Sequence, residues 1–379
     1  MKFLKSLNPA EVKSRGWLPA LDGLRTIAVM FVLIGHTLPV GHFALANGGV
    51  ALFFALSGFL AYYVLHQDEQ RLGRVDYNYF LQRRILRIWP AYFTIIALSF
   101  LIESKDAITN AAIAPLFTFT VNWDMAAFRA WPLAPHTWTI AAEQQFYLLA
   151  PFIYRLLRSR YALIFCAAVF IISNIACVLH MMLAPPTQSG NGGLYYTTYA
   201  YIDTFIAGAV AAHLYLKGWR LNAWQQWVQF LISSGLFIFT LYLWYDCIFP
   251  PYINYSLIPF VLLPIALGPL VFSVLPMQRP VMFNRILASP PMVAIALLSY
   301  SLYLVHMFVI DHVSMQPWIY FPVCLAAAIV LHFIIERPFM RGRHHLQRWA
   351  EKFSWPVILT WGLIAIGAIR FIGRFILRS

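Results

Sequence analysis

The chain has 379 residues, of which 61% are hydrophobic and only 11% charged. That balance excludes a water-soluble domain and belongs to a chain that crosses a membrane many times. The formal charge of +13 invites a nucleic-acid reading, but the cations sit in short clusters between apolar runs, a topology pattern rather than a binding stripe.

The N-terminal tail carries Lys2, Lys5, Lys13 and Arg15 without a short apolar core and a small-residue cleavage site, so the first span reads as an uncleaved anchor. Apolar runs follow at 24–40, 48–66, 88–102, 138–155, 161–183, 198–216, 226–245, 255–275, 292–312, 318–335 and 354–373. The expected fold is all-α, a polytopic membrane bundle of about ten to eleven transmembrane helices. Ala111–Val121 is apolar but short and reads as a re-entrant or interfacial piece. With the N-terminus in the cytoplasm, 22 of the 27 lysines and arginines fall on the cytoplasmic side, as the positive-inside rule requires. The expected organisation is a cytoplasmic tail (1–20), a membrane domain (21–343) and an additional C-terminal transmembrane helix (344–379). The loop 103–137 carries Trp123, Trp131, Pro132, Pro135 and His136; it can lid a site, although interfacial tryptophan is a common reason for such a sequence. Cys166, Cys177, Cys247 and Cys324 are scattered, with no spacing for a metal site or a disulfide framework.

Several polar residues fall at membrane depth: His36, Ser57, Glu143 with Gln144 and Gln145, Asp203 and His306. Five helices each contributing such a residue point to a shared polar interior. Arg25 and His36 are 11 residues apart, almost three turns, so they share a face about 16 Å apart along the axis. Counting rise from the flanking cations puts His36 and Glu143 at similar depth, and a histidine beside a carboxylate is a minimal kit for general-base catalysis. Arg84 and Arg87 are three residues apart and share a helix face that can grip a polyphosphate; a positive-inside cluster is the plainer reading of the same residues. A transporter or flippase for a polar solute could use the same histidine and carboxylate, though no internal repeat of the kind such proteins carry is visible.

Six stretches in order resemble the acyltransferase type 3 family of integral-membrane acyltransferases, which includes surface-polysaccharide O-acetyltransferases. They are Leu21-Asp22-Gly23-Leu24-Arg25 through His36, Gly49 to Phe59, Arg84-Ile85-Leu86-Arg87, Trp138 to Tyr147, Ser299 to His306, and Ile335-Glu336-Arg337-Pro338. Gln144 stands where the family usually has a second glutamate. The resemblance implies transfer of an acyl group, most often acetyl from cytoplasmic acetyl-CoA, to a hydroxyl of a cell-surface glycan or lipid-linked glycan. It implies His36 and Glu143 as catalytic residues, Arg25, Arg84 and Arg87 as binders of the CoA phosphates, and no metal. The expected setting is the bacterial inner membrane. The family often carries a fused extracytoplasmic hydrolase-like domain, absent from this sequence, so acceptor delivery is expected to rest either on the membrane domain alone or on a separate extracytoplasmic partner protein.

Overall fold

The computed structural model describes residues 17–37, 42–102, 113–128, 134–183, 193–244, 257–277, 281–312, 316–341 and 355–376. The tail lysines, Lys105, Arg129, Trp131, Pro132, Cys247 and the basic residues between 342 and 354 lie outside these. The helices are α1 (Pro19–Thr37), α2 (His42–Leu72), α3 (Tyr77–Ile102), α4 (Ile113–Phe117), α5 (Val121–Phe128), α6 (Trp138–Leu157), α7 (Ala162–Leu183), α8 (Ile202–Leu216), α9 (Ala223–Leu243), α10 (Ile258–Ser273), α11 (Met282–Leu287), α12 (Pro290–His312), α13 (Pro317–Leu331) and α14 (Trp355–Ile376). Each of the eleven apolar runs contains a helix, and no strand occurs, among the described residues.

Eight helices are long and apolar enough to cross a membrane. Of the other three runs, α8 and α10 are apolar but only 15 and 16 residues long, whereas α6 falls short for an instructive reason. Helix α6 is 20 residues long but carries Glu143, Gln144, Gln145 and Arg155, and most of its residues are buried inside the protein. A helix that faces protein on nearly every side does not need a lipid-compatible surface. Helix α7 is the opposite case, with only Ser173 and Cys177 fully buried and a continuous apolar exterior.

Helix α2 is the hub. It packs on α1, α6, α8 and α10, and glycines set how closely. A methyl group on Gly58 of α2 would sit 1.8 Å from the Phe205 carbonyl oxygen of α8, and one on Gly208 of α8 would sit 1.8 Å from the Ala55 carbonyl oxygen of α2. The two backbones therefore touch through reciprocal glycines, the small-residue crossing that membrane bundles use in place of a hydrophobic drive. Gly49 does the same one stretch earlier, against Ala28 and Val32 of α1. These contacts fix the rotation of α2 and with it the direction of Ser57.

The short helix α4 lies within the 111–121 stretch, and α5 follows directly after it. Gln145 of α6 holds them: its amide donates to the Phe119 carbonyl (2.8 Å) and Asn122 (2.9 Å), and its carbonyl accepts from Trp123 and Thr198. Helix α14 docks on the same region, where Arg370 and Arg374 both donate to the buried Asp124. Burial raises the Asp124 carboxyl from its ordinary range, and the two guanidinium groups pull it back. Ion pairs between segments among the described residues include Arg83 with Asp68, Arg158 with Glu69, and Arg370 and Arg374 with Asp124, each joining ends that the cation count places on one side.

Candidate active site

Helices α1, α2, α3, α6 and α12 enclose a cavity of about 750 Å³, its open mouth included. Its polar wall is Arg25, Ser57, Arg84, Arg87, Thr139, Glu143, Tyr147, Ser299, Tyr300 and Tyr303. Thr139, Glu143 and Tyr147 are spaced by four on α6 and so share one helix face. Glu143 accepts hydrogen bonds on one carboxylate oxygen from both Ser57 and Tyr147. The sequence places Ser57 and Glu143 86 residues apart; the α2 crossings bring them together.

The Arg84 guanidinium is almost fully buried, lies 4.7 Å from the Tyr147 ring centre and 5.4 Å from that of Phe80, and leaves one nitrogen, Nη2, without a partner. Arg84 and Arg87 also line a second, outer chamber with Gln67, Asp68, Arg71 and Arg83. The two arginines are thus the shared wall between a basic vestibule and the inner cavity. In the vestibule Asp68 takes Arg83, and Arg71 lies 3.9 Å from it, so a single acid faces several guanidinium groups and the chamber keeps a net positive charge. Arg25 sits in the inner cavity, near enough to Glu143 and Arg87 to feel their charges, and pairs loosely with Asp22 at 3.8 Å. It is an interior residue, not the rim residue that the depth count assumes.

That placement separates His36 from Glu143. His36 lies in another layer, its ring 5.0 Å from the His306 ring, and His306 lies 5.3 Å from His136. His136 precedes Glu143 by seven residues, about 10 Å of helical rise. The histidine layer therefore stands above the Glu143 cavity, and Tyr303 joins the two. Tyr303 lines the cavity, hydrogen-bonds Thr139 at 2.7 Å, donates to the His136 carbonyl at 2.8 Å, and packs its ring on both His136 and His306. The Val32 carbonyl helps to orient His36, accepting from Nδ1 at 2.8 Å. This leaves Nε2 as the basic nitrogen. Burial, and after it the proximity of His36, push the His136 imidazole down to about 3, so it is neutral. Among the described residues no group of three or more His, Cys, Asp or Glu is placed to hold a metal.

Asp203 also stands apart from the cavity. It lies in the first turn of α8, where the Thr204 backbone N–H donates to it at 2.7 Å and Ser173 of α7 lies within 3.4 Å. It lines a separate apolar groove between α7, α8 and α10. Gln144, the departure from the family motif, is buried with only a long 3.5 Å contact from Trp89.

Sequence reasoning assigned no role to Tyr147, Thr139, Tyr300 or Tyr303 and left His136 in a loop. The four-residue spacing of Thr139, Glu143 and Tyr147, and the spacing of Ser299, Tyr303 and His306 on α12, were signals that could have found them. The Glu336 of the last motif belongs to a buried cluster beside the site: it accepts from Ser301 and His332, each at 2.9 Å, within the π-helical turn His332–Glu336.

A family model described as an acyltransferase domain matches residues 18–337. The O-acetyltransferase OatA of Staphylococcus aureus strain NCTC 8325 is 30% identical over 215 residues, which cover 52% of this chain and 35% of the relative. A protein of S. aureus strain MRSA252 named "Putative O-acetyltransferase SAR0937" is 26% identical over 405 residues, covering 96% of this chain and 66% of that protein. The chain thus spans about a third of OatA and just under two thirds of the other relative. No solved structure matches it. With a match that runs from the first residues of α1 to the end of the π-helical turn, this multi-pass membrane chain belongs to the acyltransferase family.

Proposed function

We propose that the chain transfers an acyl group, acetyl in the simplest case, from acyl-CoA on the cytoplasmic side to a hydroxyl of a cell-surface glycan or lipid-linked glycan. The observation that carries this reading is the shared wall of Arg84 and Arg87 between a basic vestibule and an inner cavity whose largely apolar lining carries a few polar side chains. CoA has the matching form, a polyanionic head on a thin amide-bearing arm. Its phosphates would sit on Arg84 and Arg87, where guanidinium geometry suits phosphate oxygens, and Arg71 and Arg83 would add field from the vestibule. The arm would run past Ser57, Glu143, Tyr147 and Tyr300 and carry its thioester toward Tyr303.

At that end His36 would accept the proton of the acceptor hydroxyl on Nε2 as the oxygen attacks the thioester carbonyl. The thiolate would leave as the ester forms and take up a proton. Glu143 would act from the cavity wall: its carboxylate balances Arg25 and fixes the Ser57 and Tyr147 hydroxyls against the arm. The acyl group would then reach the outer face through chemistry at the histidine layer, without release of CoA through the membrane. The O-acetyltransferase names of the two relatives and the family match support the reaction class. The setting that goes with this reading is the bacterial inner (plasma) membrane.

The test is deletion of the gene and mass spectrometry of the surface glycans, with the wild-type chain and His36→Ala restored in parallel. Loss of an ester-linked acyl mass on deletion, recovered only by the wild-type chain, supports the proposal. An unchanged ester profile in the deletion strain overturns it.

A further inference from the structure

The histidine layer contains two buried nitrogen atoms that its own fold leaves unsatisfied. His136 is buried in the turn Pro135–Thr137, and His306 is fully buried on α12. The Leu304 carbonyl lies 3.1 Å from Nε2 of His136, and the Tyr303 carbonyl accepts from Nδ1 of His306. A carbonyl oxygen can only accept, so each neutral ring has its proton on that nitrogen and a lone pair on the other. Those other nitrogens, Nδ1 of His136 and Nε2 of His306, have no hydrogen-bond partner.

Buried polar atoms in folded proteins are nearly always paired, and an exception calls for an explanation. Here two exceptions lie on adjacent rings, 5.3 Å apart, and His306 touches His36 as well. Both unsatisfied atoms are acceptors, and the described residues supply no donor. A ligand that completes the layer must bring hydrogen-bond donors and no charge that needs a counter-ion. The Tyr303 ring, against both imidazoles, adds an apolar platform. Hydroxyl donors beside a flat aromatic surface are the complement of a polyol ring, polar at its edge and apolar on its face.

We infer that Nδ1 of His136 and Nε2 of His306 are hydrogen-bond acceptors for the hydroxyls of a polyhydroxylated acceptor, which they hold with one hydroxyl presented to His36. The inference rests on the proposed O-acyl transfer and adds the acceptor subsite to it. His136 and His306 take no proton in the reaction; they orient and bind. The layer also explains how a single base meets only one of several similar hydroxyls, because the neighbouring hydroxyls are already committed.

The test replaces each imidazole by a ring of similar size without a lone pair, His136→Phe and His306→Phe, and by a side chain that restores an acceptor, His136→Gln and His306→Gln. Surface-glycan acylation is measured in cells, and acyl-CoA affinity and thermal midpoint on the purified chain. The phenylalanine variants should lose tenfold or more of glycan acylation with acyl-CoA affinity unchanged, and the glutamine variants should recover part of it. Wild-type acylation in both phenylalanine variants overturns the inference, as does a parallel loss of acyl-CoA affinity in soluble, folded protein, which would make the layer structural.

A second measurement needs no variant. In wild-type protein labelled with ¹⁵N-histidine and held in lipid nanodiscs, methyl β-glucoside serves as the polyol probe. Two unprotonated ring nitrogens should pass from unbonded to hydrogen-bonded when the probe is added. If they do not respond, the inference fails even where the phenylalanine variants do not fold. If wild-type cells carry no ester on any surface glycan, the failure lies with the proposed reaction instead.

Discussion

Glu143 and Asp203 look alike in the sequence, each a single carboxylate inside an apolar run, and the structure gives them opposite surroundings. Asp203 begins a helix, where free backbone N–H groups and the positive end of the helix dipole welcome an anion. Its partners are the Thr204 backbone at that same helix end and Ser173 of the neighbouring α7. Glu143 stands in mid-helix with no free backbone donors near it. Its donors are side chains, Ser57 from another helix and Tyr147 one turn on, and its face is turned to a cavity shared with three arginines. A buried carboxylate explained by its own helix end is a folding feature. One held by tertiary contacts against open space is a candidate for chemistry.

The comparison can be broken by substitution, and the largest effect should come from the layer above Glu143. His36→Ala should lower acyl transfer by about 10²- to 10⁴-fold, the usual range for a general base, with normal membrane insertion. Transfer measured by ester mass on surface glycans within threefold of wild type would remove His36 from the reaction. Next in size, Glu143→Gln should lower transfer by about tenfold or more. It discharges the cavity wall while leaving an oxygen to accept from Ser57, and the lost bonds to a charged acceptor are each worth about 1.5–3 kcal/mol.

Arg84→Lys sharpens the donor side. The ammonium keeps the charge that topology needs but loses the planar fork and its stacking on Tyr147. We expect the KM for acyl-CoA to rise about tenfold, at 1.4 kcal/mol per factor of ten, with kcat changed less. An unaltered KM would leave the arginine pair as a topology signal. The smallest effect belongs to Asp203→Asn, which keeps acceptor capacity at the helix start and should leave transfer within about threefold. A loss equal to that of Glu143→Gln would erase the distinction between the two carboxylates.

The depth argument shows where sequence reasoning stops. It placed His36 and Glu143 at one height by counting rise from Arg25 and Arg155. Arg155 is exposed, whereas Arg25 shares the cavity with Glu143. The two counts therefore started from different levels, and the offset put His36 above Glu143. A charged residue marks the membrane surface only when its helix faces lipid. On a helix packed inside a bundle, the same residue sits wherever the protein supplies partners. The same rule explains α6, whose polarity kept it from resembling a lipid-facing span although it is central to the site.

By itself, the sequence determined the class of the molecule, the eleven helices and the order of the motifs. These follow from composition, from apolar run length against the thickness of a bilayer, and from backbone groups that must be satisfied within each segment in lipid. Those are local requirements, legible one stretch at a time. Only the tertiary structure decided that Ser57 meets Glu143, that His36 meets His306 and, through it, His136, and that Asp203 meets neither group. Such pairings depend on how helices rotate and approach. Here that is set by contacts such as Gly58 on Phe205 and Gly208 on Ala55, which join residues about 150 positions apart in the chain and which no helical period can express.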